Sequence, residues 1–162
     1  MFDKFGNMDT CEEINELAGN LRKEGDTDSI RTLAEENGID SEIADMFISG
    51  ELEGLCDYNT AAWGKLEIEA RGLKTAEIIN DWIDYIKSVC TEDEEMARGV
   101  RNSQKSLKGC IAALLKWSYD HAEPVDSEIT KAAGITKQCS LGMPGMGTAK
   151  RLIRQYYKEG LA

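Results

Sequence analysis

Apolar residues recur along nearly the whole of this chain at helical spacing, and the polar residues between them supply the start and stop signals of helices. The clearest stretch is Lys105 to Trp117, KSLKGCIAALLKW, where Leu107, Cys110, Ile111, Leu114 and Leu115 recur at i, i+3, i+4, i+7 and i+8. That spacing predicts one stripe facing a core, with Lys105, Lys108 and Lys116 outside it. Upstream, Thr10 with Glu13 predicts a capping box, followed by Ile14, Leu17, Ala18 and Leu21 on a first helix to about Lys23. Gly25 interrupts. Asp26, Thr27 and Asp28 offer N-cap oxygens to a second helix with Ile30, Leu33 and Ala34, which Asn37 and Gly38 close with a left-handed cap. Asp40 opens a third, with Ile43, Ala44, Phe47 and Ile48 inward, and Gly50 ends it.

Gly50 to Asn59 reads as a joint. Thr60 restarts helix with Ala61, Ala62, Trp63 and Leu66, and Gly72 breaks it. Thr75 opens a strongly apolar helix carrying Ile78, Ile79, Trp82, Ile83, Ile86 and Val89. Thr91 with Glu94 predicts another capping box ahead of Met96, Ala97 and Val100. After the central helix, Asp126 caps a short one with Ile129, Ala132 and Ala133, closed by Gly134. The last helix carries Leu152, Ile153, Tyr156 and Tyr157 inward and Lys150, Arg151, Arg154 and Lys158 outward. The expected fold is all-α: a small three-helix unit over residues 1–55, packed on or linked to a larger helical unit over residues 56–162.

Composition changes this picture chiefly through charge. The chain is 41% hydrophobic and 30% charged, which suits a folded domain better than a disordered one. Its net charge of -11 is unevenly spread: residues 1–60 hold sixteen carboxylates against four cations, whereas residues 97–162 hold five against eleven. Such a split bears on steering and partner choice. Glu35, Glu36, Glu42, Asp45, Glu51 and Glu53 are expected to form an acidic face, with neighbours about 5 to 6 Å apart on a helix. That spacing is of the order of the ~3.4 Å phosphate repeat along one nucleic-acid strand. Conversely, Arg98, Arg101, Lys105 and Lys108 follow at steps of three and four. A continuous helical phase would put them on one basic face, joined by Arg151 and Arg154, able to receive a phosphate backbone or an acidic partner.

Candidate chemistry is sparse. Five scattered cysteines without a CxxC pair fit reduced thiols, and the single histidine, His121, is too few for a His-based metal site, so no metal and no cofactor are expected. Nucleophilic catalysis needs a base oriented by a third group, and His121 beside Asp120 reads as a helix-ending turn instead. The glycine-rich LGMPGMG precedes a helix, but Thr148 and Ala149 stand where a P-loop requires Lys and Ser or Thr, so a structural turn is expected. No apolar run reaches the roughly 18 to 20 residues of a membrane span, and MFDKFGNMDT lacks a signal-peptide pattern. The expectation is a cytoplasmic protein that acts by binding rather than catalysis.

From Cys90 onward, CTEDEEMARGVRNSQKSLKGCIAALLKWSYDHAEPVDSEITKAAGI, then LGMPG and AKRLIRQYY, resembles small proteins of phages, conjugative plasmids and other mobile elements, including the PcfK-like group. Lys105, Ser106, Leu107, Cys110 and Ile111 carry the Lys-Ser-hydrophobic-x-x-Cys segment, and the start MFDKFGNMDTCEEIN resembles the opening of one such mobile-element family. Some proteins of this kind are identified as type II anti-CRISPR inhibitors of Cas9. The resemblance implies binding to Cas9 or to its guide RNA complex and prevention of DNA cleavage. The acidic unit is then a possible nucleic-acid mimic, since Cas9 holds its guide and target in positively charged channels. The competing expectation is a nucleic-acid-binding accessory of conjugation or replication that uses the basic residues of the C-terminal half.

Overall fold

The structure, a computed structural model, describes residues 4–75 and 77–159. The first three residues of the leader quoted above lie outside that range. The chain is all-α, with a two-stranded hairpin of two residues a side as the sole sheet among the described residues.

Three helices open it: α1 (Cys11–Glu24), α2 (Thr27–Glu36) and α3 (Ser41–Ser49). Their boundaries are set by local chemistry. Thr10 accepts from the Glu13 amide at 3.2 Å, and the Glu13 carboxylate accepts in return from the Asp9 amide at 2.9 Å, one residue upstream of the position in the usual capping box. Asp26 caps α2 through the Ser29 amide and Asp40 caps α3 through the Glu42 amide. Gly25, Gly38 and Gly50 supply the left-handed turns after the three helices. Asn37, expected to share that role, has φ of -100° and is used otherwise.

Helix α4 (Tyr58–Arg71) starts earlier than Thr60, because the Asp57 carboxylate accepts from the Thr60 amide at 2.7 Å and caps the turn before it. Helix α5 (Ile78–Glu92) does not begin on a Thr75 cap; it follows Glu77, which makes no side-chain cap bond. Nor does Thr91 open the next helix. It lies inside α5, with its hydroxyl bonded back to the Lys87 carbonyl, and Asp93 caps α6 (Glu94–Arg101) through the Met96 amide at 3.1 Å. After α7 (Leu107–Asp120) the hairpin strands β1 (Glu123–Pro124) and β2 (Ser140–Leu141) flank α8 (Ser127–Ala132), and α9 (Met146–Lys158) closes the fold. The strands are antiparallel, with Glu123 opposite Leu141 and Pro124 opposite Ser140.

Two apolar clusters form the interior. One gathers α1, α2 and α3 around Ile14, Ile30, Leu33 and Phe47, and includes Leu55 and Ala61. The other gathers α5, α6, α7 and α9 around Trp82, Ile86, Met96, Leu107 and Ile153, and includes Ala62 and Leu66. Helix α4 therefore turns one side to each cluster, with Ala61 in the first and Ala62 and Leu66 in the second. This is possible because its residues at the junction are small: a Cβ on Gly64 would lie 2.0 Å from the Asn37 carbonyl oxygen. Only glycine lets the end of α2 approach α4 so closely.

The central stripe is narrower than the sequence predicts. Leu107, Cys110 and Leu114 are buried and Ile111 is half-buried, but Leu115 is 65% exposed. Ile129 and Ala132 on α8 and Ala133 at its end are all exposed, and the helix has no buried residue.

Candidate binding surfaces

The acidic unit presents its carboxylates to solvent. Of the fifteen described Asp and Glu residues between Lys4 and Thr60, fourteen are exposed and only Glu36 is half-buried. The six expected on one face divide by use. Glu36 turns toward the leader and accepts from the backbone amides of Lys4 at 2.6 Å and Phe5 at 3.1 Å, so it holds structure. Asp45 is paired with Arg31 at 3.0 Å, and Glu51 accepts from the Ser49 hydroxyl at 3.0 Å. The carboxylates of Glu35, Glu42 and Glu53 have no hydrogen-bond or ion-pair partner among the described residues. Glu35 and Asp45 line a common cleft of about 420 Å³ together with Asp40, Arg31 and Arg71. The Arg31 pairs with Asp28 and Asp45 are exposed, so they remain exchangeable for a partner's cation at a cost of no more than about 1 kcal/mol.

The expected basic face is not assembled. Helix α6 ends at Arg101 and α7 begins six residues later, so the helical phase that would have aligned Arg98 and Arg101 with Lys105 and Lys108 is broken. Arg98 lies over the Tyr58 ring at 3.7 Å and pairs with Glu94 at 2.9 Å and Glu12 at 3.5 Å. Arg101 is fully buried, which removes it from any surface. Lys105 donates to the Glu159 carbonyl at 2.9 Å, and Arg154 to the Tyr85 hydroxyl at 2.8 Å. Lys158 pairs with Asp93 at 2.7 Å and Glu95 at 2.8 Å; its hydrogen bond to Asp93 holds that carboxyl below its ordinary range. Lys108 and Arg151 stay exposed without an ion pair among the described residues. The cations of the C-terminal half thus largely serve the protein's own carboxylates, carbonyls and rings.

Where the two clusters meet, two cations are buried that sequence reasoning did not single out for that place. The Arg101 Nε donates to the Met8 carbonyl at 2.8 Å and one terminal nitrogen to Asn37 Oδ1 at 2.5 Å, while the Asn37 amide nitrogen donates to the Leu33 carbonyl at 2.8 Å. Lys65 on α4 donates to the carbonyls of Asn102 at 2.6 Å, Lys105 at 2.9 Å and Arg101 at 3.4 Å, which lie where the chain leaves α6. The Ser103 amide also donates to the Asp9 carboxylate. Burial pushes the Arg101 guanidinium down from its ordinary value and the Lys65 ammonium down to about 8, against the pull of Glu69. The only signal in the sequence was a Lys within the Ala-Ala-Trp-Gly-Lys-Leu run, where an exposed side chain is the usual outcome.

The remaining chemistry-bearing groups are placed structurally. His121 stacks on Trp117 with ring centroids 4.2 Å apart and its Nδ1 lies 2.9 Å from the Trp117 carbonyl, which closes α7. All five cysteines are free. Burial raises the thiol of Cys11 to about 11 and those of Cys56, Cys90 and Cys110 to about 12, so at neutral pH they are protonated and weak nucleophiles. In LGMPGMG, a Cβ on Gly142 would lie 1.9 Å from the Ser118 carbonyl oxygen, so this glycine lets the loop pass against the end of α7. Among the described residues no group of three His, Cys, Asp or Glu is placed to hold a metal ion, and no helix is long and apolar enough to cross a membrane. Comparison with family models, with curated proteins and with solved structures finds no match.

Proposed function

We propose that this protein acts by binding, with the acidic α1–α3 unit as its contact surface. The proposed partner is Cas9 or its guide RNA complex, held so that DNA cleavage is prevented, as in anti-CRISPR proteins. The identity of the partner comes from the sequence resemblance. The observation that carries the choice of surface is the sign of the accessible charge: thirteen exposed carboxylates stand on residues 4–55. The cations of the other half are mostly engaged within the chain. An acidic surface is steered toward a positively charged nucleic-acid channel and repelled by nucleic acid itself. Glu35, Glu42 and Glu53, lacking internal partners, are the groups for which a new ion pair displaces no existing one.

The test mixes the purified chain with Cas9 and guide RNA, and measures complex formation and target cleavage beside a DNA-only binding control. Complex formation, lost cleavage and no affinity for DNA are expected. The combined Glu35→Gln, Glu42→Gln, Asp45→Asn and Glu53→Gln variant should weaken inhibition about tenfold or more at near-physiological salt. Undiminished inhibition by that variant would remove the acidic unit from the contact. Salt-dependent DNA binding without any effect on Cas9 would transfer the function to nucleic acid.

A further inference from the structure

Cys11 opens α1 and Cys56 lies in the joint before α4, yet both belong to one apolar cluster, Cys11 buried within it and Cys56 half-buried against it. Asn15 sets their spacing. It lies one turn after Cys11 on the same side of α1, about 5 to 6 Å away between Cβ atoms, and its side-chain amide holds the joint. Its Oδ1 accepts from the Leu55 amide at 2.7 Å and the Cys56 amide at 3.0 Å, and its Nδ2 donates to the Cys56 carbonyl at 2.8 Å. On the other side of Cys56, Arg98 lies over the Tyr58 ring and pairs with Glu12, the neighbour of Cys11. The Cys11 thiol turns to that same end and donates to Glu12 Oε2 at 3.5 Å. Residues 55–58 therefore run along the first turn of α1, with Cys56 between the two fastenings. The thiols feel each other: burial first, and Cys11 next, push the Cys56 thiol up.

We propose that Cys11 and Cys56 form a reversible disulfide, a redox-sensitive lock that ties the joint to α1 and closes all three helices of the acidic unit within one covalent loop. The oxidant is a small-molecule disulfide of the glutathione type. Cys56, the more exposed sulfur, attacks it as the thiolate, forms a mixed disulfide and releases one thiol; Cys11 then attacks the Cys56 sulfur and expels the second. The two cysteines give up two electrons and two protons, and the reagent takes them up as two thiols. The exchange is slow at neutral pH, where burial leaves little thiolate. A disulfide requires Cα atoms about 4.4 to 6.8 Å apart, and residues 51–57, which lie outside any helix, supply the backbone freedom to reach that separation. Cys90 and Cys110 are buried in the other cluster, and Cys139 lies just before β2, so none of them shares the Asn15 anchor.

The test exposes the folded, reduced 162-residue chain to rising ratios of oxidised to reduced glutathione at mildly alkaline pH, quenches with acid and maps the unreduced peptides by mass spectrometry. The expected product has lost two hydrogens, keeps three of its five thiols and carries one linkage, Cys11 to Cys56. A dithiol reductant restores the starting mass. Oxidation should raise the thermal midpoint by about 5 to 10 °C, and the rise should be absent in Cys56→Ser treated alike. Should that variant fail to fold, the wild-type linkage map and midpoint decide by themselves. Five thiols left reduced under a large excess of oxidised glutathione overturn the proposal. So do glutathione adducts without an internal bond, or linkage of another pair.

Discussion

At the scale of single residues, the buried cations decide most. Lys65 has three donors for three carbonyls at the mouth of the α6–α7 connection, a match that an ammonium makes and a neutral amine does not. Burial lowers it from its ordinary 10.5 to about 8. Between those values the unfolded chain keeps a proton that the folded chain has released, so this group adds stability as the pH rises through that window. The thermal midpoint of the wild type minus that of Lys65→Met should therefore grow between about pH 8 and pH 10. The buried thiols, raised in both proteins, cost each the same above about pH 9 and cancel in the difference. A flat difference would show that Lys65 keeps its proton throughout. None of this is visible in the heptads around Lys65, because its acceptors lie 36 to 40 residues away.

At the scale of elements, the caps were largely legible and the packing was not. Thr10, Asp26, Asp40 and Asp126 cap helices through amides two or three residues downstream, so a short stretch of sequence contains the whole interaction. Thr91 misleads because a neighbouring residue takes over: Asp93 caps α6, and the Thr91 hydroxyl is satisfied inside α5; α5 itself starts without any side-chain cap. Two glycines in helices show how context reverses a propensity. Gly19 in α1 has open space where a Cβ would go, so Gly19→Ala should stabilise the protein by about 0.5 to 1 kcal/mol. Gly64→Ala in α4 gains the same helix preference, but its methyl meets the Asn37 carbonyl, and a net loss of about 1 to 3 kcal/mol is expected from parting α2 and α4. Urea unfolding of the two variants measures both signs.

At the scale of the whole molecule, the two apolar clusters are joined by α4 and by the Arg101 bridge to Met8 and Asn37. Removing one partner from a buried charged network leaves the others unsatisfied, so Arg101→Met should cost about 3 kcal/mol in urea unfolding. Hydrogen exchange should show the loss of protection concentrated at the C-terminal end of α2, where Asn37 is anchored. Protection lost evenly over all helices would mean that Arg101 supports the core generally rather than this joint.

The sequence by itself determined the helical class, most helix starts and ends, and the uneven charge, because each depends on composition or on contacts within a turn. Only the tertiary structure decided which side of each helix is covered. Leu115 matches the stripe of Leu107 and Leu114 in spacing yet stays 65% exposed, and Ile129, apolar on a capped helix, stays 63% exposed. Arg101 has the spacing of a surface cation, yet Asn37 and the Met8 carbonyl, 64 and 93 residues away, draw it inside. Periodicity states which residues share a face. Whether that face meets another helix, a buried carbonyl or water is settled by where distant segments come to lie.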